Sequence, residues 1–168
     1  MGFLDRLFKR EKAVPKVQER TVLNLQVGDI VSYDLQDYQV VGKLRYNDSG
    51  YTWDAYQLQG DTGTIWLGVE LDDELELGIY KTVKLHLSEP IPKKVNYDGR
   101  TYHLEEQGTA HVTGEGRGQN VHGKQVKYFD FADPSEEHFL SVEVWGTEVE
   151  VSYGYEIEEF ELKILAGS

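Results

Sequence analysis

The sequence predicts an all-β fold built from two pseudo-symmetric antiparallel β units, sandwich or barrel-like, produced by an internal duplication and preceded by a short N-terminal amphipathic helix. Three observations predict it. VSYDLQDYQVV, GKLRY, WDAYQL and IWLGVELD, within residues 31–72, recur in the same order within residues 95–145 as VNYDGRTYHLEE, GTAHV, VKYFDF and HFLSVEVW. Eleven Tyr and three Trp, set among Val, Ile and Thr, favour strands over helices. Short runs alternate apolar and polar residues between turn residues, the period of a strand with one wet face.

The only helical pattern is at residues 1–12, MGFLDRLFKREK. Phe3, Leu4, Leu7 and Phe8 make one apolar stripe, and Arg6, Lys9 and Arg10 lie beside it. Such a helix can lie in a bilayer interface with its basic residues on anionic lipid. It can equally dock on a partner or on its own chain. Residues 13–22 read as a linker, with Pro15 breaking the pattern.

The first unit spans residues 23–90. GDIVSYD, YQVVGKLRY, YTWDAYQLQ, TIWLGVEL and IYKTVKLHL are its expected strands, with Gly42 at a bulge or close approach. Pro90 and Pro92 separate it from the second unit, residues 91–168. There KKVNYD, RTYHLEE and TAHVTG are strands, the glycines from Gly114 to Gly123 form a mobile loop or hairpin tip, and residues 124–131, 138–145, TEVEVSYG and FELKIL complete the set. In this alignment Val40 falls on Leu104, Gly42 on Gly108, Tyr56 on Phe129, Trp66 on Phe139 and Glu70 on Glu143.

These residues resemble a bacterial domain of unknown function, family 4178. VGDIVSYD, DYQVVGKLRY, YTWDAYQL and WLGVEL carry the resemblance, which covers residues 23–165. It implies no activity and no catalytic residues. Relatives of that kind tend to accompany phage-shock, membrane-stress and polyamine-related genes, and the opening MGFLDRLF is similar to the starts of small bacterial envelope-stress proteins. The resemblance therefore implies an envelope-stress context.

Charge narrows the functional classes. The chain carries a formal −13, whereas residues 1–20 hold six Lys or Arg against three Asp or Glu. An acidic body repels phosphate backbones, so no nucleic-acid partner is expected. It attracts basic partners, polyamines or other cations. Without Cys there is no disulfide, thiolate metal site or Cys nucleophile. No apolar run reaches the roughly 20 residues of a membrane span, and the N-terminus lacks a secretory signal. A cytoplasmic location, peripheral at the inner membrane, is the expectation.

Glu70 and Glu143 are the leading candidate residues. Each follows a Val inside an apolar strand, at equivalent places in the repeat. Alternation puts Glu70 on one face with Trp66, and Glu143 on one face with Phe139. Two carboxylates approaching across a pseudo-twofold axis could hold a cation or split their pKa values. On an open wet face they would be solvated and idle. The five His lack zinc spacing, the glycine stretch lacks the GK-Ser/Thr of a phosphate loop, and no Ser sits in a nucleophile elbow. No metal, cofactor or catalytic residue is predicted. The expected function is a non-enzymatic binding or adaptor module, whose partner is a protein or a membrane surface met through the N-terminal helix. The alternatives are a binder of a small, polyamine-like cation using an acidic and aromatic groove, and a structural subunit of a larger assembly.

Overall fold

A computed structural model describes residues 19–167. Their strands are β1 (Ile30–Tyr33), β2 (Gln36–Asp48), β3 (Tyr51–Gly60), β4 (Gly63–Leu71), β5 (Leu75–Val83), β6 (Lys94–Tyr97), β7 (Arg100–Gly116), β8 (Gln125–Ala132), β9 (His138–Trp145), β10 (Glu148–Ile157) and β11 (Leu162–Leu165). Tight turns link several of them. Asp34 and Leu35, Ser49 and Gly50, and Asp98 and Gly99 all have positive φ, the geometry of two-residue hairpins whose twist matches the strands. Asp34 and Asp98, equivalent in the repeat, take the same φ of 49°.

The expectation of two antiparallel units is corrected. All the strands belong to one sheet, ordered β11-β1-β2-β3-β4-β5-β10-β9-β8-β7-β6, and an added β2–β7 pairing closes the inner eight into a barrel. The halves of the repeat supply four ring strands each. They meet at two antiparallel seams: β2 with β7, where Tyr46 pairs with Val112, and β5 with β10, where Tyr80 pairs with Gly154. Tyr46 and Val112 are themselves equivalents in the repeat, so the pseudo-twofold axis crosses that seam. Neither half closes a sheet alone, because its terminal ring strands find their partners in the other half. Among the described residues there is no α-helix, only short 3₁₀ turns at Arg117–Val121 and Glu159–Glu161. The amphipathic helix expected over residues 1–12 lies outside the described residues.

Two further expectations change in detail. RTYHLEE and TAHVTG form one strand, β7, which runs on through Gly114 to Gly116, so only the rest of the glycine stretch is a connection. The fifth strand is Leu75–Val83 rather than residues 79–87, and 84–87 run on without strand pairing.

β-bulges fix which side chains enter the ring. On β2 the register to β3 shifts between Val40 and Gly42, and on β7 the register to β8 shifts between Leu104 and Glu106. The two sites are equivalent in the repeat. The extra residue rotates the strand, so Tyr38 and Val40 face outward while Leu44 and Tyr46 face inward. Ahead of each bulge the strand leaves the ring and pairs with an outer strand, β1 or β6.

These departures build two apolar lobes outside the ring. In the first, Val31, Val40, Tyr56, Leu58, Leu67 and Ile79 are buried together with Val22 and Leu25. A hydrogen bond of 3.1 Å between the Tyr33 and Tyr155 hydroxyls ties β1 across to β10. In the second, Val95, Tyr102, Phe131, Leu140, Val142 and Val151 pack beneath Leu85, Leu87 and Ile91. Burying an aliphatic side chain such as Leu58 or Leu67 contributes about 1.5–3 kcal/mol. The two largest apolar clusters are therefore on the outer face of the barrel, which frees its inner face for other residue types.

Candidate functional site

The inner face follows from the register. Trp53 pairs with Tyr46, Ala55 with Gly68 by way of β4, Trp66 with Tyr80, Gly154 with Phe139, Tyr128 with Glu143, and Ala110 with Val126. Directly paired residues share a face, so all of these look into the lumen. Contacts across the ring agree. Trp53 of β3 meets Tyr128 of β8 edge to face at 5.1 Å and stacks on Tyr46 at 5.2 Å, with the ring planes 2° apart. The Tyr46 hydroxyl of β2 reaches Glu143 of β9.

The lumen is acidic. Asp48, Glu70, Glu76, Glu106, Asp130, Glu143, Glu150 and Glu156 lie on the inner face, at least one on every ring strand except β3. No Lys or Arg of the ring strands lies on that face, and Arg117 of the 3₁₀ turn reaches it only at Gln59, at 3.1 Å. Lys43 and Arg45 point outward, Lys43 over the Tyr56 ring at 5.5 Å and Arg45 in a two-pronged pair with Asp54 at 2.8 and 3.0 Å. Several of the inner carboxylates sit directly opposite one another across strands: Glu70 with Glu76, Glu143 with Glu150, and Glu106 with Asp130. Opposed like charges destabilise a sheet unless something lies between them.

Asp130, Glu106 and Glu150 are exposed to solvent and Glu70 and Glu143 half-buried, so water reaches the lumen. Protein nonetheless surrounds these groups. Burial, then the charges of Glu106, Glu143 and Glu70, push the Asp130 carboxyl up to about 7. Burial, with Glu150 adding to it, pushes Glu143 up to about 7 against hydrogen bonds from Tyr46 and Trp145 that favour the charged form. Burial and the neighbouring Glu70 and Glu156 raise Glu76 as well. Hydroxyls hold other members: Tyr51 donates to Glu70, and Tyr128 donates to Asp48 at 2.5 Å.

Aromatic rings form the apolar part of the wall. Trp53, Trp66 and Trp145 border a cluster of Leu44, Tyr46, Ala110, Val112, Val126 and Tyr128. Tyr80 lies across the lumen over glycines; a Cβ at Gly154, Gly78 or Gly68 would come within 2.3, 2.7 or 3.2 Å of its ring.

The sequence candidates fall as follows. Glu70, Glu143, Trp66 and Phe139 are all on the lumen face, but β5 and β10 separate Glu70 from Glu143 around the ring. Each faces a Glu of its neighbouring strand, and Asp130 is the group that senses both. Phe3, Leu4, Arg6, Leu7, Phe8, Lys9 and Arg10 lie outside the described residues. Asp130, Glu106, Glu150, Tyr46 and Tyr80 were missed. Asp130 carried a signal, a carboxylate between two Phe of an apolar strand, but its face depends on pairing between strands. Among the described residues no three His, Asp or Glu converge on a metal position. A groove of about 470 Å³ lies outside the ring, open to solvent between Leu23–Val27 and Gly116, where Lys43 and Glu115 oppose each other in sign.

The profile of the family described as Domain of unknown function (DUF4178) matches residues 26–159. The chain is 32% identical over 145 residues to uncharacterised proteins of Mycobacterium bovis and of two Mycobacterium tuberculosis strains, covering 82% of this chain and 69% of theirs. No solved structure is a significant match.

Proposed function

For a chain that belongs to the DUF4178 family, we propose that the barrel binds a small organic cation within its acidic, aromatic lumen. The supporting observation is the sign of the inner face: carboxylates from all but one ring strand, with no inward Lys or Arg on those strands. The interior of an eight-stranded barrel is of a size that side chains fill or that holds one small ligand. Ammonium groups gain both from the carboxylates and from the faces of the Trp and Tyr rings. The carboxylates are spread along the wall rather than gathered at a point. That favours an extended ligand with separated positive charges, such as a polyamine, over a compact metal ion.

Calorimetry with spermidine tests the proposal. The full chain is expected to bind at one saturable site, and Glu143→Gln and Asp130→Asn are each expected to weaken binding about tenfold, ~1.4 kcal/mol. Glu136→Gln, in the exposed β8–β9 turn, controls for attraction to the acidic surface. Equal loss in all three variants would place binding on the surface and reject the lumen.

A further inference from the structure

We propose that the lumen takes up its cation in exchange for protons held between its opposed carboxylates, so that binding strengthens above neutrality and release follows acidification. This rests on the cation-binding reading above and adds its regulation.

The geometry carries it. Three pairs of acids face each other in direct register, Glu70 with Glu76, Glu143 with Glu150 and Glu106 with Asp130. The first two pairs occupy equivalent places in the two halves, so the arrangement is built twice. Arg117 donates to Gln59 on the inner face of β3 at 3.1 Å, but no ion pair among the described residues reaches these acids. A carboxylate pair in that setting keeps a proton, or accepts a cation in its place. The titratable groups around the central carboxyls are acids and phenols, with Ser141 directly opposite Asp130 on β9. Asp130 is faced by Glu106 of β7, Glu143 of β9 and Glu70 of β4, with Glu105 nearby and its charge felt at Tyr80 of β5. Glu143 is faced by Tyr46 of β2, Glu150 of β10 and Tyr128 of β8, with Trp145 on its own strand. The raised carboxyls of Asp130 and Glu143 agree with a retained proton. In the exchange the carboxyl O–H breaks, the proton leaves to solvent, and the carboxylate remains paired with the incoming ammonium.

The test uses the full chain and spermidine, with the amine's own ionisation at the alkaline end of the range subtracted by a protein-free titration. Calorimetry is run between pH 6 and 8 in buffers of different ionisation enthalpy, and carboxyl-carbon NMR follows the free chain. Proton release on binding is expected, with affinity rising up to about tenfold per pH unit below neutrality for each proton displaced. In the free chain, the resonances lost in Asp130→Asn and Glu143→Gln are expected to titrate near neutrality. Binding with buffer-independent heat and a flat pH profile would overturn the exchange and leave the lumen reading standing. Resonances that titrate in the ordinary carboxylate range would overturn the exchange whatever spermidine does. An absence of binding heat would overturn both proposals.

Discussion

Asp130 shows how a single residue reports its surroundings. It stands between Phe129 and Phe131 in β8, and those two side chains turn outward to the second lobe. Its own carboxyl turns inward, where Glu106 faces it directly and Glu143 and Glu70 add their charge. A group whose carboxyl lies near 7 in the folded chain, and near 4 in the unfolded chain, binds more protons when folded throughout the interval between. Folding stability is therefore expected to fall as pH rises from about 4 through about 7 and to level off above. Urea denaturation at intervals of pH checks the sign. Asp130→Asn and Glu143→Gln should each flatten the slope, because the amide cannot ionise. A wild-type stability that climbs across this window would contradict the assignment of these two groups to the lumen.

At the scale of elements, Tyr80 and the bulges set the shape of the inner wall. Tyr80 crosses the lumen because Gly154 opposite it, and Gly68 and Gly78 beside it, have no side chain. A Cβ at Gly154 would stand 2.3 Å from the Tyr80 ring. Gly154→Ala is therefore expected to destabilise the fold by about 1–3 kcal/mol, the cost of overpacking. The same substitution in a Tyr80→Ala background should cost much less, since the clash is with the ring. Chemical denaturation of the four chains of that cycle measures the coupling; additive effects would show that the ring does not fill this space. The bulge on β2 does the complementary work. Were β2 to run on through Val41 without the bulge, Leu44 and Tyr46 would turn outward and Lys43 and Arg45 would enter an acidic lumen. The bulge on β2 thus keeps Lys43 and Arg45 out of the interior.

For the whole molecule, the closed ring changes what the duplication means. Two self-sufficient units would fold separately when cut at Pro90–Pro92. In a shared barrel each half ends in unpaired strands, because β2 needs β7 and β5 needs β10. A fragment of residues 19–90 is expected to show no cooperative thermal transition as a monomer, and light scattering should find it associated through those open edges. A cooperative, monomeric half would contradict the shared ring. Equivalent residues lie on opposite sides of the pseudo-twofold axis, and each half brings its own Glu pair to one common lumen.

The sequence by itself determined most of the strands and the side-chain parity within the strands of Glu70 and Glu143. Alternation alone put Glu70 with Trp66, Glu143 with Phe139, and the Leu–Val rows on the other side. Hairpin turns were legible because Asp, Ser and Gly at positive φ are local requirements. Which face is inside was not legible. Both faces of these strands carry apolar residues, and the usual rule, apolar inward, would have chosen the wrong one for β3, β4 and β9. The choice belongs to long-range events: the β2–β7 seam joins residues far apart in the chain, and the bulges at Val41 and Glu105 rotate strands by one residue. Only the tertiary structure made a lumen from what alternation describes as a wet face, because a ring is closed by pairing between strands, and pairing leaves almost no local trace.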